Sequence, residues 1–75
     1  MKRINDLYVV AFLKSIGYEP KNYEAIGSKL IWYFDNEEQI NREIDLYYAG
    51  KQICNPLRLV QCIRDLKGLI FSILK

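Results

Sequence analysis

Histidine is absent from this chain of 75 residues, and that gap removes a good deal of chemistry. Without imidazole there is no ready general base near neutral pH, and a Cys/His zinc site is excluded. Cys54 and Cys62 are too few and too far apart for a disulfide scaffold or a CxxC redox pair. Reduced thiols in a cytoplasmic protein are the reading that follows. The four glycines are isolated from one another, so the chain has no glycine-rich phosphate loop. No apolar run approaches the length that crosses a bilayer. Lys2 and Arg3 are followed by Asn5 and Asp6 instead of an uninterrupted apolar region, which argues against a secretory signal. Net charge is only +2, which offers little of the basic excess common in nucleic-acid-binding domains.

What the chain does have is apolar content, 51% of its residues, in a length that allows one domain. So short a chain needs a dense core or cover from another chain. Charge is unevenly placed. Residues 19–50 hold seven acids against three bases, and residues 51–75 hold five bases against one acid. Such polarity can steer a charged partner, or it can be two faces that meet within the fold.

The clearest local signal is Lys29-Leu30-Ile31-Trp32-Tyr33-Phe34 running into Asp35-Asn36-Glu37-Glu38-Gln39. Alternation sends Leu30, Trp32 and Phe34 to one face of a strand and Ile31 and Tyr33 to the other, with the first set as core. Asp35 or Asn36 then starts a helix at capping-box spacing from Glu38 or Gln39. Its stripe is Ile40, Ile44, Tyr47 and Tyr48, and Gly50 ends it. Upstream, Asn5 or Asp6 caps a first helix carrying Leu7, Val10, Ala11 and Phe12, which Gly17 closes. Tyr23-Glu24-Ala25-Ile26 forms a hairpin with the aromatic strand, turning near Gly27. A short connector, Lys51 to Cys54, leads to a third helix opened by Asn55-Pro56. Leu59, Ile63, Leu66 and Ile70 line its inner face, with Val60 and Leu74 beside it. The expected fold is a single α+β domain of order α-β-β-α-α, an antiparallel β-hairpin packed against three helices.

In this order Asp6-Leu7-Tyr8 with Ala11 and Leu13, the strand end Trp32-Tyr33-Phe34-Asp35, Tyr47-Tyr48-Ala49-Gly50, Asn55-Pro56-Leu57-Arg58 and Arg64-Asp65-Leu66-Lys67-Gly68-Leu69-Ile70 resemble a small domain family of unknown function. That family is met in bacterial, archaeal and phage or prophage genomes. The resemblance covers roughly residues 5 to 71 and rests on packing residues and caps. Its strand usually offers phenylalanine where this chain has Trp32. It brings no catalytic residue, and it implies a phage or mobile-element gene product.

Few side chains suggest chemistry of their own. Asp35, Glu37 and Glu38 form the tightest acidic group, and at a helix start they read as caps and dipole partners. Cys62, one position ahead of Ile63, reads as core filler, since no base stands near it in sequence. Gly68 inside the third helix costs about 1 kcal/mol relative to alanine; either a close neighbour justifies it, or the last turn kinks or frays. Leu69, Phe71 and Ile73 cannot all join the inward stripe of Ile70 and Leu74, and they are the candidate interface for a second copy or another protein. Lys51, Arg58, Arg64 and Lys67 are the candidate phosphate contacts of an alternative reading, a nucleic-acid-binding accessory or regulatory protein. The expectation from sequence is therefore a non-enzymatic protein-interaction module with no cofactor, no metal and no membrane, and with a homodimer as one form.

Overall fold

The computed structural model describes residues 1–51 and 54–74. Its elements are β1 (Lys2–Ile4), α1 (Leu7–Ser15), β2 (Asn22–Ile26), β3 (Lys29–Phe34), α2 (Glu37–Tyr48) and α3 (Pro56–Leu74). The α+β class is as expected, with three helices and an antiparallel sheet among the described residues. The sheet, however, has three strands in the order β1-β3-β2. Lys2-Arg3-Ile4 is too short to show alternation and has no turn beside it. It is a strand because β3 offers a second edge, where Lys2 pairs with Phe34, Arg3 with Tyr33 and Ile4 with Trp32.

β3 is consequently the central strand. Its other edge takes β2 from Asn22↔Tyr33 to Ile26↔Lys29, closing on the two-residue turn Gly27-Ser28. Gly27 has φ +61° and Ser28 does not share the positive sign, the sign pattern of the type II′ turns that favour glycine at the first position. Leu30, Trp32 and Phe34 are buried, and Ile4 and residues 9–13 of α1 join them in one core with Ile40 and Leu66. Ile31 points to the opposite face and is also buried, although outside that core.

Asp6 caps α1: its Oδ1 accepts from the amides of Tyr8 at 2.9 Å and Val9 at 3.4 Å. Five consecutive residues, Val9 to Leu13, are buried, so this helix is covered on nearly every side. Ser15, also buried, donates its hydroxyl to the Phe12 carbonyl at 2.6 Å. α1 and α2 end in the same way. Gly17 and Gly50 take positive φ, and the next amide reaches back, Tyr18 to the Leu13 carbonyl at 2.9 Å and Lys51 to Leu46 at 3.0 Å. That is the six-to-one bond of the Schellman motif.

The start of α2 departs from expectation. Asn36 is the cap residue, but it sits in the left-handed region (φ 57°, ψ 56°) and its side chain makes no capping bond. Side-chain capping uses an extended backbone at this position, and the sharp reversal out of β3 denies it. Glu37 instead faces the Met1 ammonium at 3.7 Å, and Asp35 pairs with Lys21 at 3.3 Å. Along α2, Ile44 and Tyr47 pack on the core, with the Tyr47 ring 4.7 Å from that of Phe12. Tyr48 stays exposed.

α3 begins as expected, with Asn55 Oδ1 accepting from Leu57 N at 2.9 Å and Arg58 N at 3.2 Å. It lies along α1 in the opposite direction. Arg58 Nε donates to the Ser15 carbonyl at 2.9 Å near one end, and Lys67 Nζ stands 5.9 Å from the centre of the Tyr8 ring near the other. Of the connector expected over Lys51 to Cys54, Gln52 and Ile53 lie outside the described residues.

Candidate protein-binding surface on the third helix

Nineteen residues make α3, and only Leu66 among them is fully buried. Leu59, Cys62, Ile63, Leu69, Ile70 and Leu74 are half-buried against the core. The opposite side is not bare of apolar groups. Leu57 is 82% exposed, Phe71 72% and Val60 46%. At about 100° per residue, Leu57, Val60, Arg64, Gly68 and Phe71 fall within one sector about 80° wide. They form a single outward stripe.

This stripe corrects the candidate set read from sequence. Leu69 and Ile73 are four residues apart and so share a flank, whereas Phe71 lies about 160° from either. Leu69 accordingly packs on the core, whereas Ile73, on the same side by phase, lies outside that core and is 38% exposed. Phe71 alone of the three belongs to the outer stripe. Val60 moves the other way, from beside the inner face to the outer one. Leu57, which had no assigned role, is the most exposed large apolar side chain recorded in the described residues. The signal that finds it is the spacing of three, seven, eleven and fourteen residues from Leu57, which runs on the far side from Leu66.

Gly68 stands inside the stripe. A methyl group placed on it would meet nothing within 4 Å among the described residues, so none of the described elements needs the space. The helix also continues unbroken through it to Leu74, and neither expected account, intrachain contact or a frayed last turn, describes it.

The basic residues do not converge on one track. Arg58 and Lys67 are nine residues apart, about half a turn of phase, and lie on opposite flanks of α3. Arg64 projects between them from the stripe itself. Lys51 follows the end of α2, exposed. Among the described residues none of the four makes an ion pair. Asp65, the one acid in α3, accepts from Gln61 Nε2 at 2.9 Å.

The other features are of smaller scale. A cleft of 370 Å³ opens between the hairpin turn, the start of α1 and the end of α3. Leu7, Leu30, Trp32, Ile70 and Leu74 form its apolar part, and Asp6 and Lys29 are its charged groups; the Asp6 carboxylate is already engaged as the α1 cap. On the far face of the sheet the Tyr33 hydroxyl donates to Glu24. That bond, with lesser help from desolvation and the Glu24 charge, raises the Tyr33 pKa above its ordinary value. Cys54 and Cys62 are free thiols, half-buried on the core. Among the described residues no cluster of His, Cys, Asp or Glu has metal-binding geometry, and no helix is long and apolar enough to cross a membrane.

Compared with known proteins, residues 2–72 match DUF5659, a domain of unknown function, and the chain belongs to that family. No curated protein and no solved structure matches it.

Proposed function

We propose that this DUF5659 domain is a non-enzymatic protein-interaction module that binds through the outward stripe of α3. The observation that carries the reading is the pairing of Leu57 and Phe71, both largely exposed, on one face of a helix whose other face is in the core. Scattered exposed hydrophobes are ordinary. Large ones set at stripe spacing along one helix mark a contact surface. The module acts in the cytoplasm, where its two thiols stay reduced, and is the product of a phage or mobile-element gene, as the resemblance implies. The alternative, binding of nucleic acid through Lys51, Arg58, Arg64 and Lys67, has less behind it, because Arg58 and Lys67 lie on opposite flanks and the net charge is small.

The test is affinity capture from a host lysate, with and without nuclease, using wild type and a Leu57→Glu/Phe71→Glu double variant. Both side chains are exposed, so the variant is expected to melt close to wild type. Capture of a protein that survives nuclease and vanishes with the double variant is the expected result. Capture that depends on nucleic acid and on Arg58 and Arg64 would put the alternative first.

A further inference from the structure

We infer that the element this surface receives is an acidic amphipathic helix of another protein, crossing α3 at Gly68. The inference rests on the proposed role of the α3 stripe and adds the chemistry of what lies on it. Two observations that do not depend on each other carry it.

The first is Gly68. Glycine in a helix interior loses stability against alanine because its backbone gives up more freedom on folding. Among the described residues no contact offsets that loss, since nothing lies within 4 Å of where its Cβ would stand. Flanked by Arg64 one turn before and Phe71 one turn after, it makes a notch in an otherwise filled ridge. A notch of that size lets the backbone of a second helix approach to the short end of the 8–10 Å range of interaxial distances. From Leu57 to Phe71 the stripe runs about 21 Å at 1.5 Å per residue, enough for about four turns of a partner helix.

The second is charge. Arg64 rises from the stripe and Lys67 flanks it about 60° away, over the Tyr8 ring. Among the described residues neither has an ionic partner. Arg58, on the other side, is held by its Nε to the Ser15 carbonyl. Asp65, the one carboxylate of α3, is hydrogen-bonded to Gln61 within the same helix. A helix bringing apolar residues to Leu57, Val60 and Phe71 and carboxylates beside them would meet Arg64 and Lys67.

A second copy of this chain fits less well. Antiparallel pairing about Arg64 sets Leu57 opposite Phe71 and Val60 opposite Gly68, which is sterically good. It also places Arg64 against its own mate and the Lys67 flank against the same flank, gathering like charges at the centre of the contact.

The experiment selects binders to the full chain from a displayed library of helix-forming peptides. Expected binders carry apolar residues at three- and four-residue spacing with Asp or Glu beside them. They are lost on Phe71→Glu, weaken about tenfold or more on Arg64→Glu and weaken with rising salt. Gly68→Ala separates partner from fold: the free domain melts about 4–8 °C higher, yet binds the selected peptide less tightly. Basic or uncharged binders that still need Phe71 overturn the acidic chemistry and leave the α3 reading in place, as does undiminished binding by Gly68→Ala for the helix crossing. A wild type that light scattering shows to be a dimer, dissociated by Phe71→Glu, makes a second copy the occupant and likewise overturns the inference alone. Binders indifferent to Phe71→Glu, or none at all, overturn both.

Discussion

α1 and α3 are apolar helices lying against one another, and each carries a phenylalanine, yet they stand at opposite limits of burial. In the nine residues of α1, five consecutive side chains are inside. In the nineteen of α3, one is. Composition accounts for part of the difference, since α1 is the more apolar of the two, and position for the rest. α1 is bounded by β1, by α3 and, through Phe12 and Tyr47, by α2, so apolar residues at every phase find cover. α3 packs on one side only, so even its lower apolar share leaves a surplus facing outward. Apolar content therefore tells how much a helix can bury, and the number of neighbouring layers tells how much it does.

The strongest way to break this comparison is to make one substitution in both helices. Phe12→Ala is expected to cost about 3–5 kcal/mol, and Trp32→Ala, which removes the buried ring of β3 beneath it, a similar amount. With total stability on the order of 5–15 kcal/mol for a domain, either variant should leave little folded protein in circular dichroism. Phe71→Ala should stay within about 0.5 kcal/mol of wild type in urea denaturation. Equal losses for Phe12 and Phe71 would mean that the outer side of α3 is covered and the contrast is false.

A milder test compares the two helix starts. Asp6→Ala and Asn55→Ala each remove a side-chain acceptor for two amides, at a cost of about 0.5–2 kcal/mol. The α1 loss should lie toward the upper end, because a frayed first turn there disturbs buried Val9 and Val10. The first turn of α3 is exposed and can fray with little consequence. Thermal melts of the two variants decide it, and a larger loss for Asn55→Ala would contradict the ranking.

The smallest effect belongs to the side of the sheet away from that core and serves as a control. Tyr33 is raised in pKa chiefly by its bond to Glu24. An unfolded tyrosine therefore ionises first, and the contribution of Tyr33 is complete below its ordinary pKa and fades as pH rises through the higher folded value. Tyr33→Phe should lower stability slightly at neutral pH, where the bond to Glu24 is intact, and flatten the alkaline decline by the same small amount. An unchanged slope in the denaturation midpoint against pH would remove Tyr33 as its source.

Signals read by neighbouring residues were legible in the sequence. Asp6, Gly17, Gly27, Gly50 and Asn55-Pro56 each act within a few positions, and each does what its local chemistry requires. Trp32 and its strand phase were legible for the same reason. β1 was not, since its cause is an open edge some thirty positions away. The capping box at Asn36 was legible and did not form, because the turn out of β3 needs a left-handed residue there. On α3 the apolar surplus is visible in the sequence, but Leu69, Phe71 and Ile73 do not share one face. Leu69 and Ile73 are separated by one helical turn, and that arithmetic alone sets them apart from Phe71, which stands with Leu57 and Val60; of the two, Leu69 is held by the core and Ile73 stays exposed.

The order β1-β3-β2 has a kinetic side. The sheet closes twice, once through a two-residue turn and once across the whole stretch between Ile4 and Trp32. Each doubling of a closed loop costs about 0.6 kcal/mol in chain entropy, so about four doublings set the second closure roughly 2 kcal/mol behind the first. Contacts of such separation are slow to form and late to be rewarded. The hairpin is thus a starting point and β1 a final latch, and solvent should enter the sheet at Ile4 first, with amide exchange there faster than along β3.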